Sequence, residues 1–102
     1  MGVVHMGRSL WIEKSSNRTW STLHESTREN LKGLLEEVAT LPKPTDHPKV
    51  TILEGPKTTV YRLRLGDYRV VFTTIKGELR VHKVGKRGSV YDKVNNVYEA
   101  VS

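Results

Sequence analysis

Between residues 60 and 91 the sequence gathers groups suited to holding a polyanion: Arg62, Arg64, Arg69, Arg80 and Arg87, with His82, Lys86 and Tyr91 among them. Their spacing becomes informative once Gly66-Asp67 is taken as a two-residue hairpin turn. Leu65 then lies opposite Tyr68, and Arg64 opposite Arg69. Strand alternation puts Tyr61, Leu63, Leu65, Tyr68, Val70 and Phe72 on a core face. The other face carries Val60, Arg62, Arg64, Arg69, Val71 and Thr73. Carrying the register through a second turn at Lys76-Gly77 adds Arg80, His82 and Val84 to that face. Like charges directly opposite each other weaken a hairpin by a few tenths to about 1 kcal/mol per pair. The acids of this stretch, Asp67 and Glu78, fall at the turns. A guanidinium cluster of this kind suits an anion with several oxygens, and phosphate matches arginine's planar two-donor fork.

The segment Val84-Gly85-Lys86-Arg87-Gly88-Ser89-Val90-Tyr91 follows the third strand. Its paired glycines permit a sharp loop that brings Arg87 back over the sheet, and Tyr91 could stack on an unpaired base. The spacing is not that of a phosphate-binding P-loop.

The elements that must position these groups fit one domain spanning residues 1–102, with 1–8 as a loose N-terminal extension. Residues 1–56 hold seven Lys/Arg and seven Asp/Glu, whereas residues 57–102 hold ten against four, so the second half carries the whole net charge of +6. A neutral scaffold presenting a positive face points to nucleic acid, an acidic protein or an anionic membrane surface. A merely solvated basic surface would show the same balance. With no cysteine, disulfides, thiolate metal sites and thiol nucleophiles are excluded. The histidines His5, His24, His47 and His82 lack metal-ligand spacing, so neither a metal nor a cofactor is expected. No apolar run suits a signal peptide or a membrane span, and a cytoplasmic protein without membrane partners is the expectation.

Leu10-Trp11-Ile12 suits a first strand, and Ser15 or Ser16 could cap a short helix carrying Trp20 and Leu23. Ser26 and Glu29 have the spacing of a capping box. Leu31, Leu34, Leu35, Val38 and Leu41 then form the apolar stripe of a second helix, ended by Pro42 and Pro44. Val50–Leu53 reads as a short extended piece. Val60–Leu65, Tyr68–Ile75 and Leu79–Val84 read as three strands, and Val90–Val101 as a short amphipathic helix. The expected fold class is α+β: two N-terminal helices packed on a small antiparallel sheet, with a short C-terminal helix.

The run Tyr61-Arg62-Leu63-Arg64-Leu65-Gly66-Asp67-Tyr68-Arg69-Val70-Val71-Phe72, with Val84-Gly85-Lys86-Arg87 and Val90-Tyr91, resembles the RelE/ParE superfamily of type II toxin–antitoxin toxins. The resemblance covers residues 10 to 98 and the family's order of elements. A RelE-like member is implied to be a ribosome-dependent mRNA endonuclease acting in the ribosomal A site. Its 2′-hydroxyl attack on the adjacent phosphate leaves a 2′,3′-cyclic phosphate and uses no metal. Carried over, Arg62 and Arg64 match the basic pair before the hairpin turn, Arg69 the arginine that stabilises the transition state, Arg87 the proposed donor to the leaving oxygen, and Tyr91 the stacking tyrosine. Arg80, His82 and Lys86 are the expected further RNA contacts. A cognate antitoxin, with a helix on the toxin and acids over its basic face, is the implied protein partner.

Two departures bear on chemistry and detail. In RelE the basic pair is lysine, one member of which is proposed to activate the 2′-hydroxyl. Arginine stays protonated, so Arg64 is a poor general base. Catalysis would rest on electrostatic stabilisation and inline orientation, with His82 as the one group on this face titrating near neutrality. Asn17 also stands where the first helix would carry an apolar residue. The resemblance leaves open a ParE-like gyrase inhibitor that uses the arginines only for docking, and an RNA binder that does not cut.

Overall fold

The computed structural model describes residues 7–53 and 59–86. Over them the chain runs β1 (Ser9–Ile12), α1 (Lys14–Thr22), α2 (Glu25–Thr40), a 3-10 turn at Pro44–Asp46, β2 (Val50–Leu53), β3 (Val60–Leu65), β4 (Tyr68–Ile75) and β5 (Glu78–Lys86). The described strands form one sheet in the order β1-β5-β4-β3-β2. The fold is α+β, as the pattern implied. The sheet is mixed rather than wholly antiparallel, because β1 enters before the helices and pairs in parallel with β5, Leu10 beside Leu79 and Ile12 beside Val81. The C-terminal helix expected at 90–101 lies outside the described residues.

The helices form for partly different reasons than their sequences suggested. α1 starts at an N-cap, Glu13, that makes no side-chain cap bond. Ser16 is therefore a helical residue, and its buried hydroxyl donates to the carbonyl of His82 at 2.7 Å, tying α1 to β5. α2 starts two residues earlier than the Ser26–Glu29 box required. Its N-cap is His24, whose Nδ1 accepts the Ser26 N–H at 3.2 Å. The apolar stripe behaves as its spacing dictates: Leu31, Leu35 and Val38 are fully buried and Leu34 partly so. Burying each such side chain contributes roughly 1.5–3 kcal/mol. The helix stops at Thr40, because Leu41 precedes Pro42 and is held extended (φ −85°, ψ 146°). Its last carbonyls are answered from the chain's start. Arg8 donates its backbone N–H to Ala39 O at 2.8 Å, and its guanidinium bonds Leu41 O at 2.7 Å and Pro42 O at 3.1 Å. Arg8 is thus a fixed cap rather than part of a loose extension.

The main core cluster lies between the helices and one sheet face, while Val60, Val71 and Thr73 are fully buried on the other. Trp20, Leu31, Leu35, Val38 and Ala39 pack on Val50, Leu63, Val70, Phe72, Leu79, Val81 and Val84. Tyr61 stacks on Phe72 with ring centroids 5.3 Å apart. Leu10 and Ile12 join this layer, whereas Trp11 between them is 53% exposed on the opposite face. Both hairpin turns are two residues long. Gly66 (φ +58°) leads the first, and Asp67 stays at negative φ, the pattern of a II′ turn. Lys76 (φ +46°) and Gly77 (φ +81°) are both positive, as a I′ turn needs.

Candidate functional site

The hairpin register makes the site. Leu65 pairs with Tyr68 and Arg64 with Arg69, so two guanidinium side chains leave adjacent strands side by side. In a two-residue hairpin the first pair inward from the turn-closing pair is the non-hydrogen-bonded kind, with Cα atoms about 4.5 Å apart. Consistent with that, the Arg64 N–H points away from β4 and donates to Lys49 O at 3.0 Å. Arg62 lies opposite Val71 on the same face.

Arg64 is exposed and Arg62 partly so, but Arg69 is only 8% exposed. The fold resolves the like-charge pair by turning Arg69 onto the turn: its Nη1 donates to Gly66 O at 2.7 Å and to Tyr68 O at 2.8 Å. None of its nitrogens is buried without a partner. The fork is held in one orientation, with Nη2 and Nε donors in reserve.

The other end of the same face is built differently. Arg80 lies opposite Thr73, as the register implied. Its Nη1 meets Glu13 Oε1 at 2.9 Å and its Nη2 meets Glu78 Oε1 at 2.7 Å. The Glu78 hydrogen bond above all, with Glu13 adding, raises its pKa against the opposing effect of burial. The guanidinium also lies over the Trp11 ring, 5.6 Å from its centroid. Its Nε is buried without a hydrogen bond. Arg80 is therefore a neutralised structural cation, and the expectation of an RNA contact there does not match its geometry. The sequence placed acids only at turns and did not reveal that Glu13 and Glu78 converge on this arginine. By contrast, no described carboxylate pairs with Arg64 or Arg69.

His82 reaches the expected face but is 5% exposed. Its Nε2 sits 2.8 Å from the hydroxyl of the fully buried Thr73. Burial lowers its pKa, aided by the charges of Arg80 and Lys83 and opposed by that of Glu13. Near neutral pH it is an uncharged, bonded side chain, neither an open RNA contact nor a base facing one.

The register departs from the regular one at His82. A bulge lies between Val71 and Phe72 on β4: Phe72 pairs with Val81, but Val71 pairs with Lys83, leaving His82 as the extra residue of β5. From there on the faces exchange. Val84, expected beside the arginines, pairs with Val70 in the core, and Gly85 comes opposite Arg69. A signal was present in the sequence: Leu79, Val81 and Val84 break the period of two. β5 also continues through Gly85 to Lys86, so no loop leaves at Gly85. Lys86 pairs with Tyr68 at the end of the strand. Arg87 and Tyr91 lie outside the described residues. No group of three or more described His, Asp or Glu could hold a metal ion, and no described helix is long and apolar enough to cross a membrane. An open groove of about 380 Å³ between α2 and the sheet, reached by Gly33, Leu34, Lys49 and Leu65, contains none of the arginines.

By sequence the chain matches no family profile and no curated protein. By structure it is similar to RelE proteins. The isolated E. coli RelE toxin superposes with a TM-score of 0.66 and 28% identity over 88% of this chain and 97% of that one. A chain of the intact E. coli RelBE toxin–antitoxin complex gives 0.65 and 29%, over 78% and 95%. One of the archaeal RelE–RelB complex from Pyrococcus horikoshii OT3 gives 0.67 and 25%, over 81% and 98%. Near-complete coverage of those chains supports a RelE-like toxin superfamily assignment for this chain.

Proposed function

We propose that the chain is the toxin of a type II toxin–antitoxin pair and that it cuts mRNA in the ribosomal A site. The observation carrying this is the contrast within one sheet face. Arg80 is given two carboxylates, while Arg64 and Arg69, side by side, are given none among the described residues. Uncompensated cations held as a pair are a standing cost to the fold, and a phosphate between them removes it.

The chemistry assigned is attack of the 2′-hydroxyl on the adjacent phosphate, with loss of the 5′-oxygen. The transition state gathers negative charge on the equatorial phosphate oxygens. Arg69, fixed by the turn carbonyls, meets that charge with its remaining donors, and Arg62 and Arg64 orient the strand. Because arginine does not give up its proton and His82 is bonded inside the sheet, electrostatic stabilisation rather than a side-chain base supplies the rate. Arg87 as a hydrogen-bond donor to the leaving 5′-oxygen, which takes up by way of solvent the proton that the 2′-hydroxyl releases, and Tyr91 as a stacking ring follow from the resemblance. An antitoxin whose acids cover the basic face is the assigned protein partner, as RelB accompanies RelE in the similar complexes.

Induced expression in bacterial cells tests the assignment. The wild-type chain should arrest growth, and Arg69→Ala and Arg87→Ala should relieve the arrest while accumulating as folded protein. Continued arrest with both variants would remove the arginine face from the mechanism.

A further inference from the structure

The bulge at His82 has an effect on the arginine face that regular pairing would not produce. In an unbroken register His82 would stand opposite Val71, and Lys83 would point into the core. The extra residue instead puts Lys83 opposite Val71, on the face of Arg62 and Arg69, while Val84 turns inward. The extra residue is itself anchored on two sides. The His82 ring holds Thr73 across the strand pair, and the His82 carbonyl accepts the Ser16 hydroxyl from α1. On its other side β5 pairs with β1 only from Glu78 to Val81, so the bulge begins where that pairing ends.

We infer that Lys83 is a further phosphate-binding residue of the arginine face, set there by the bulge at His82. The inference rests on the RNA-cleaving reading of that face and extends it by one cation. Two rows cross the strands: Arg62, Val71 and Lys83 in one, Arg64, Arg69 and Gly85 in the next. The rows are about 6 to 7 Å apart along the strands, and Lys83 lies two strands, about 9 to 10 Å, from Arg62. A short stretch of single-stranded backbone covers such spans. Gly85 places no side chain opposite Arg69. Lys83 is half-buried and forms no ion pair with a described carboxylate. Its flexible stem and compact charge suit a phosphate oxygen rather than a base edge.

Binding of a short 2′-O-methylated single-stranded oligoribonucleotide, followed by fluorescence anisotropy across a salt series, tests this. Lys83→Ala and Lys83→Gln should weaken binding by about three- to fivefold, the scale of one solvent-accessible ion pair. Each should also reduce the slope of log K against log salt by about 0.7, the value for one phosphate contact on a single strand. Lys83→Arg should restore both, and Lys32→Ala, which removes the same charge from the exposed face of α2, should change the slope by less. Unchanged affinity and slope in both Lys83 variants, with Arg69→Ala losing both, would overturn the role of Lys83 alone. Equal losses in Lys83→Ala and Lys32→Ala would reduce the effect to net charge and overturn it too. If Arg69→Ala also bound normally, the RNA reading of the face would fall, and this inference with it.

Discussion

Arg69 faces a second arginine across the hairpin, yet its Nη1 is already occupied by two carbonyl oxygens of the turn. Its role therefore depends on a fork held at a fixed angle rather than on charge alone. Arg69→Lys should lose most activity although it keeps the charge, with cleavage falling by about 10²-fold or more, the cost of removing one preorganised donor. Near-normal cleavage by Arg69→Lys in a reconstituted translation reaction would show that a point charge suffices. His82 makes a different, pH-dependent contribution. Its folded pKa lies below the ordinary 6.5, chiefly through desolvation, so the unfolded chain takes up the proton first as pH falls. Stability should be intact above pH 6.5 and decline as the pH drops through and below it. In urea melts between pH 7.5 and 5, His82→Gln should remove that part of the slope. Parallel pH profiles for the two proteins would mean that His82 does not titrate on unfolding.

At the scale of elements, α2 depends on a cap supplied from outside it. Arg8→Ala should lower stability by about 1 kcal/mol, because the bonds to Leu41 O and Pro42 O are partly or fully exposed. An unchanged urea midpoint would show that water replaces the arginine. This cap was not legible in the sequence, since nothing local links residue 8 to residues 39–42. The strands β3 and β4 were legible to the residue, because alternating apolar and polar positions, bounded by glycine turns, fix both period and register. The Arg64–Arg69 pair followed directly from that register. What the sequence hid came from competition between partners. His24 took the α2 cap from Ser26, Ser16 became a bridge between helix and strand rather than a cap, and the bulge at His82 exchanged the faces of Lys83 and Val84. Arg80 looked equivalent to its neighbours until tertiary structure brought Glu13 and Glu78 to it.

Taken whole, the molecule divides its labour between the two faces of one sheet. One face is filled by both helices and supplies the main core cluster. The other carries a neutralised arginine beside Trp11 at one end and, at the Gly66-Asp67 turn, an arginine pair that no described carboxylate meets. The net charge of +6 lies in the half of the chain that builds this second face, which suits steering toward a polyanion and pairing with an acidic partner protein. Docking on gyrase would use the same cations without needing a fork fixed for a transition state.

Primer extension on an mRNA in a reconstituted translation reaction, with wild-type protein and with Arg69→Ala, separates these uses most directly. Discrete cuts at codons in the ribosomal A site, absent with Arg69→Ala, are the expected result. Intact mRNA alongside inhibited gyrase supercoiling, or cuts that persist in the variant, would contradict the assignment of the arginine face as a site of RNA cleavage.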